Sequence, residues 1–156
     1  MGRTMIKDIR WTYKEGAPGY SVQMVVDLDR FEKQYSKAQY ALDSRIMTDM
    51  IPLMPKQTGT FINVTSAMSA TIAGTGKVVA AAPPMGRFLY EGKVMVGVAS
   101  NSPFAMEGEK KRVTEKDLVF STEANPKAQA HWFDSAKKAN LAEWVGMTKK
   151  TAGGGK

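Results

Sequence analysis

Few residues in this chain have the type and spacing to do chemistry. It carries one histidine, His131, and no cysteine. That inventory excludes a disulfide framework, a zinc knuckle, an iron–sulfur site, a cysteine nucleophile and the usual multi-histidine metal centres. Ser135-Ala-Lys-Lys138 has the serine–lysine spacing of some hydrolases, which places both groups on one helical face. An exposed lysine-rich helix produces the same spacing by coincidence. His131 as a general base needs a partner that the sequence does not supply. Gly74-Thr-Gly-Lys77 has the glycines and lysine of a phosphate loop, but one residue separates the glycines and Val78 stands where a hydroxyl is required. It reads as a hairpin turn. Asp27 and Asp29 are explained by a helix start, and Glu107 and Glu109 lie among Lys110, Lys111 and Arg112, which compete for their charge. Asn63-Val-Thr65 fits a glycosylation sequon, read as accidental because the opening residues lack the apolar core of a secretory signal. No cofactor and no metal is expected, and the chain does not read as an enzyme.

Composition bounds the rest. At 43% hydrophobic, 156 residues can bury one sizeable core, whereas two domains would each be marginal. No apolar run approaches the length of a transmembrane helix, so no membrane is expected. The net charge of +7 is compatible with nucleic acid, an acidic protein surface or simple solubility. It is scattered over Arg3, Lys7, Arg10 and Lys14, over Lys110 to Arg112, and over Lys149, Lys150 and Lys156. A DNA contact made by this charge would be sequence-independent. Eleven methionines exceed what a well-specified small core needs and favour a surface that adapts to partners.

The elements follow from periodicity. Residues 5–13 and 20–26 read as strands of a hairpin about the turn Gly16-Ala-Pro-Gly19. Asp27 is placed as a helix N-cap. Leu28, Phe31, Tyr35, Ala38, Leu42, Ile46 and Met50 then form one apolar stripe opposite Glu32, Lys33, Lys37 and Asp43, ended by Pro52 and Pro55. Residues 61–68 are ambiguous between helix and strand, and 69–72 reads as extended. Residues 77–82 read as a return strand, 85–91 as a short helix stopped by Gly92, and 93–99 as a strand. Residues 101–112 read as a flexible polar loop, with one more strand within 113–121, around Leu118 to Phe120. The last helix is expected over 127–147, with Phe133, Ala136, Leu141 and Trp144 facing the core and Trp132 on a neighbouring face. The expected fold is α+β, a small, mostly antiparallel sheet packed against a long N-terminal helix and a C-terminal helix. The domain runs over 1–147, including an N-terminal hairpin extension at 1–26, followed by a flexible basic tail at 148–156.

Three spaced segments carry a resemblance: Pro55-Lys-Gln-Thr-Gly-Thr-Phe61, Pro83-Pro-Met-Gly-Arg-Phe-Leu-Tyr-Glu-Gly92, and Asn125-Pro-Lys-Ala-Gln-Ala-His-Trp-Phe-Asp-Ser-Ala-Lys137 running on to Trp144. In order and spacing the chain resembles the minor capsid proteins of tailed bacteriophages, grouped with head–tail neck and tail-completion proteins. The likeness covers roughly residues 28–147 and is most specific in the last segment. Met85-Gly86 stands where the family favours Tyr-Ala, while Arg87, Leu89, Tyr90 and Gly92 match.

The resemblance implies a virion structural protein, assembled in the bacterial host cytoplasm. It would form a homo-oligomeric ring at the neck between the portal or connector and the tail tube. Six copies are expected on the tail side, or twelve on the portal side, around a lumen passing double-stranded DNA without sequence recognition. Neighbouring connector and tail-tube proteins are the implied partners. A tail terminator ring is the alternative within the class, and a sequence-independent DNA-binding module the alternative outside it. Residues expected to hold the fold and assembly are Thr58, Gly59, Arg87, Leu89, Tyr90, Gly92, Asn125, Pro126, Trp132, Phe133 and Trp144. Trp132 is expected to matter more for assembly than for the fold.

Overall fold

The structure, a computed structural model, describes residues 9–14, 21–26 and 28–153. The expected Gly16-Ala-Pro-Gly19 turn, the Asp27 cap and the end of the basic tail at 154–156 lie outside the described residues. Strands β1 (Ile9–Lys14) and β2 (Ser21–Val26) pair antiparallel with Ile9 opposite Val26 and Lys14 opposite Ser21, as a hairpin requires.

Helix α1 (Leu28–Met50) carries Asp29 in its first turn, where the helix dipole favours a carboxylate. The expected stripe is only half used. From Ala38 on it is used, with Met50 buried, Leu42 and Ile46 packed on the core and Met47 buried beside them, whereas Phe31 and Tyr35 are 54% and 71% exposed. A 3-10 turn (Ile51–Leu53) follows, with Pro52 in its first positions. Helix α2 (Thr60–Ile72) settles the ambiguous segment as helix and extends through the residues expected to be extended.

Residues 77–82 are not a strand. Two of their amides are held by side chains of α2: Val79 N–H donates to Ser69 Oγ at 3.2 Å, and Ala82 N–H to the buried Thr65 Oγ1 at 3.2 Å. A backbone pinned by hydroxyls has no need of a ladder partner. Helix α3 (Gly86–Glu91) ends at Gly92, whose φ of 66° is the left-handed stop that glycine permits. Gly86 is obligatory for a different reason. A side chain there would come within 2.7 Å of the Ala81 carbonyl oxygen.

Strand β3 (Lys93–Gly97) pairs antiparallel with β4 (Lys111–Asp117), which overlaps the expected segment 113–121 but ends before its expected centre at Leu118–Phe120. All of β4 except Thr114 is exposed, so its sequence is charged rather than apolar. Leu118 instead donates its N–H to the Gly92 carbonyl at 2.8 Å. Among the described residues the strands therefore form two separate two-stranded pairs, not one central sheet.

Helix α4 (Trp132–Ala152) starts five residues later than expected and continues through residues assigned to the tail, with Lys149 and Lys150 in its last turn. It packs along the C-terminal half of α1, and the core lies between them: Met47, Met50, Met54, Ile62, Trp132, Ala136 and Trp144. The class is α+β, as expected.

Candidate functional site

The three segments that carry the resemblance meet around the first turn of α4. Asn125 begins the construction. Its Nδ2 donates to the carbonyls of Ile51 and Met54, each at 2.9 Å, and Gln129 N–H donates to Leu53 O at 3.0 Å. These bonds cap the carbonyls of the 3-10 turn and lay residues 125–131 across it. His131 N–H then reaches Tyr90 O at 2.9 Å, which ties the approach to α3. His131 adopts a left-handed backbone, φ 49°, at the N-terminus of α4.

Trp132, thus placed, is fully buried. Its ring meets Tyr90 edge-on at 4.9 Å and Phe61 at 5.8 Å, geometries that match the aromatic quadrupole. Its indole N–H donates to Ala80 O at 2.8 Å, so burial leaves no orphan donor. Tyr90 O–H donates to Asp134 at 3.1 Å, and burial, followed by that carboxylate, pushes its phenol up to about 12. Gly92 closes the cluster: a side chain there would lie 2.6 Å from the Ala130 Cβ. Trp132, expected to matter more for assembly than for the fold, has a full part in the fold. It is the largest fully buried side chain among the described residues, in contact with Phe61 of α2, Tyr90 of α3 and the Ala80 carbonyl, and in one cluster with Met47 and Met50 of α1.

Among the other expected residues, Leu89 and Phe133 pack against this core and Trp144 is buried within it. Gly59, buried at φ 87°, is the N-cap of α2. Thr58, Arg87 and Pro126 are exposed and stand outside the cluster. Trp144 belongs to a second tie between α1 and α4. Its indole donates to Asp49 Oδ2 at 2.7 Å, Arg45 grips the same carboxylate at 2.9 Å, and Arg45 also pairs with Glu143 at 2.8 Å. The Asp49 bond, more than Glu143, holds the guanidinium above its ordinary range.

The candidate chemistry does not assemble. His131 is half-exposed, 4.0 Å from Glu91 and 3.9 Å from Asp134, and its backbone carbonyl, not its ring, meets the Ser135 N–H. The Gly74 and Gly76 amides donate to Asp43 Oδ2 at 2.8 and 3.1 Å, so the loop that could cradle phosphate holds the chain's own carboxylate. Asp43, expected on the polar face of α1, is buried. It shares a row with Met47 and Met50, four and seven positions on, which was the available signal. No group of three His, Asp or Glu side chains among the described residues is placed to hold a metal ion.

Glu109 is the other missed residue. Its carboxylate accepts from the Ala99, Ser100 and Met106 amides at 2.7–2.8 Å and from Ser100 Oγ at 2.9 Å. These bonds, the Ser100 amide first and Met106 next, hold it at about 2, well below the usual carboxylate range. The lysines next to it in sequence do not take its charge. The segment expected to be a flexible loop is therefore cross-braced. Large apolar side chains are left outside the core: Phe104 at 88% exposure and Met106 at 75% on this loop, Val119 beyond β4, and Leu141 and Val145 on α4.

No family model, no curated protein and no solved structure matches this chain. No helix among the described residues is long and apolar enough to cross a membrane.

Proposed function

We propose that this chain is a structural virion protein of a tailed phage, forming a ring at the head-to-tail neck that joins the portal or connector to the tail tube. Its work is adhesion without bond-making. The observation that carries the reading is the meeting, around one fully buried tryptophan, of the three segments that resemble neck proteins. Residues separated by up to 74 positions hydrogen-bond there, so the spacing of those segments has a structural reason. A second support is the apolar surface left uncovered on the 98–110 loop, α1 and α4, which is what a subunit retains for its neighbours. The ring is a head-to-tail contact repeated about a closed axis, of six copies on the tail side with twelve as the portal-side alternative, around double-stranded DNA. The mass of the purified species tests this, by light scattering together with electron micrographs. A closed ring of six or twelve 17.1 kDa chains is expected. A monomer at every concentration overturns the reading.

A further inference from the structure

We propose that the loop between β3 and β4 is a preformed knob that seats Phe104 and Met106 in the groove between α1 and α4 of a second copy of this chain. The inference rests on the ring reading and names its contact.

The knob is rigid before it binds. Besides Glu109, its back is held by Arg112 Nη2 to Asn101 Oδ1 at 2.7 Å, Lys111 Nζ to Pro103 O at 2.9 Å, and Phe104 N–H to Ser102 Oγ at 3.1 Å. Asn101 and Gly108 take left-handed backbones at φ 51° and 75°. Gly97 lets the Glu109 carboxylate come close, since a methyl there would overlap Glu109 Oε1 and Ser100 Oγ. This polar bracing contributes nothing to covering Phe104. It fixes the direction in which an apolar tip is offered, and the ordering cost of association is already met.

The groove has the complementary character. It holds about 340 Å³ over Leu42, Ile46, Phe133 and Trp144, with the half-exposed Leu141 and Val145 beside them, and its lining atoms are apolar. Lys137 and Lys149, both exposed, also line it. The tip carries the exposed carboxylate of Glu107 beside Met106, while the cations Lys111 and Arg112 are tied back to Pro103 O and Asn101 Oδ1, so the tip offers an acidic group to the two lysines of the groove. The loop does not fill its own groove, because Phe104 is 88% exposed and no loop residue lines the cavity. A knob and a hole on different elements of one chain make a heterologous pair, the kind that propagates from copy to copy.

The test uses the chain's lack of cysteine, which makes any disulfide unambiguous. Met106→Cys and Val145→Cys chains are mixed and oxidised, and the mixed 106–145 dimer is expected to dominate over either like pair. A single chain carrying both substitutions is expected to form a ladder of higher species. Phe104→Ser is expected to weaken self-association by about tenfold or more in sedimentation, with an unchanged circular dichroism spectrum. Lys137→Glu with Lys149→Glu weakens it too, and adding Glu107→Lys restores part of the loss. An oligomer that forms without the 106–145 link overturns the knob and leaves the ring reading standing. Linkage of Val145→Cys to Met24→Cys of the hairpin assigns the groove to that hairpin and has the same consequence. A 106–145 link that stops at a reciprocal dimer supports the docking and overturns the ring. A chain that stays monomeric overturns both.

Discussion

Around Trp132, order comes from burial: three aromatic rings in contact, a satisfied indole N–H, and backbone bonds from three distant segments. In the 98–110 loop, order comes from one carboxylate collecting backbone amides, while Phe104 and Met106 face water. Both regions are well braced, but the first spends its apolar groups on the fold and the second withholds them. Bracing by hydrogen bonds and burial of apolar groups are thus separate in this molecule. Substitutions at the cluster should be read in unfolding experiments, and substitutions at the loop tip in association experiments.

The sharpest way to break that contrast is a matched pair. Trp132→Ala removes the largest fully buried side chain and strands the Ala80 carbonyl, so a loss of about 3–5 kcal/mol is expected in urea unfolding. Phe104→Ser should stay within about 0.5 kcal/mol of the parent. Equal losses would mean that the loop tip is part of the core after all. Gly92→Ala comes next. It forces a side chain into a left-handed backbone and against Ala130 Cβ, and about 1–3 kcal/mol of destabilisation is expected in the same experiment.

The two regions also differ in how far they could be read from the sequence. The hairpin, α1, α3 and most of α4 were legible because period-two and period-3.6 patterns, with stops at Gly92 and Pro52, leave little choice. Residues 69–72 and 77–82 were not, because short apolar runs fit helix, strand or irregular chain equally well. Here the hydroxyls of Thr65 and Ser69 decided, by taking the amides a partner strand would have taken. The motif segments were legible, but the role of Trp132 was not. A helical wheel asks which face meets the neighbouring helix, whereas Trp132 sits at the first helical position and is covered by Phe61, Tyr90 and Ala80. Glu109 was masked by the three basic residues that follow it, since charge in sequence says nothing about nearby amides.

The loop makes its own, smaller prediction. Glu109→Gln replaces a charged acceptor by an amide that can keep only one carbonyl oxygen, so faster hydrogen exchange is expected at the Ala99, Ser100 and Met106 amides, with none at residues packed on Trp132. The parent adds a pH signature. Because the carboxyl titrates at about 2 instead of its ordinary 4.5, its stabilisation is complete above the ordinary value. It is lost progressively as the pH falls through that value towards 2. Exchange at these three amides, corrected for the intrinsic rate, should rise over that window in the parent and stay level in the variant. A level parent would remove Glu109 as the brace.

The smallest effect is expected at Thr58, and it separates resemblance from physics. Thr58 stands in the first of the three segments on which the resemblance was drawn, beside a buried glycine, yet it is exposed. Its hydroxyl lies 3.1 Å from Thr60 Oγ1 and 3.4 Å from the Thr60 N–H, and α2 takes Gly59, not Thr58, as its N-cap. The Asn63 N–H already has the Gly59 carbonyl at 2.9 Å. Thr58→Ala should therefore cost less than about 0.5 kcal/mol in urea unfolding. If the same variant also assembles normally, the threonine of that segment accompanies the glycine without a task of its own. If it folds normally and fails to assemble, the exposed turn before α2 is a contact surface, and the division between a region that folds and a region that binds must be redrawn to include it.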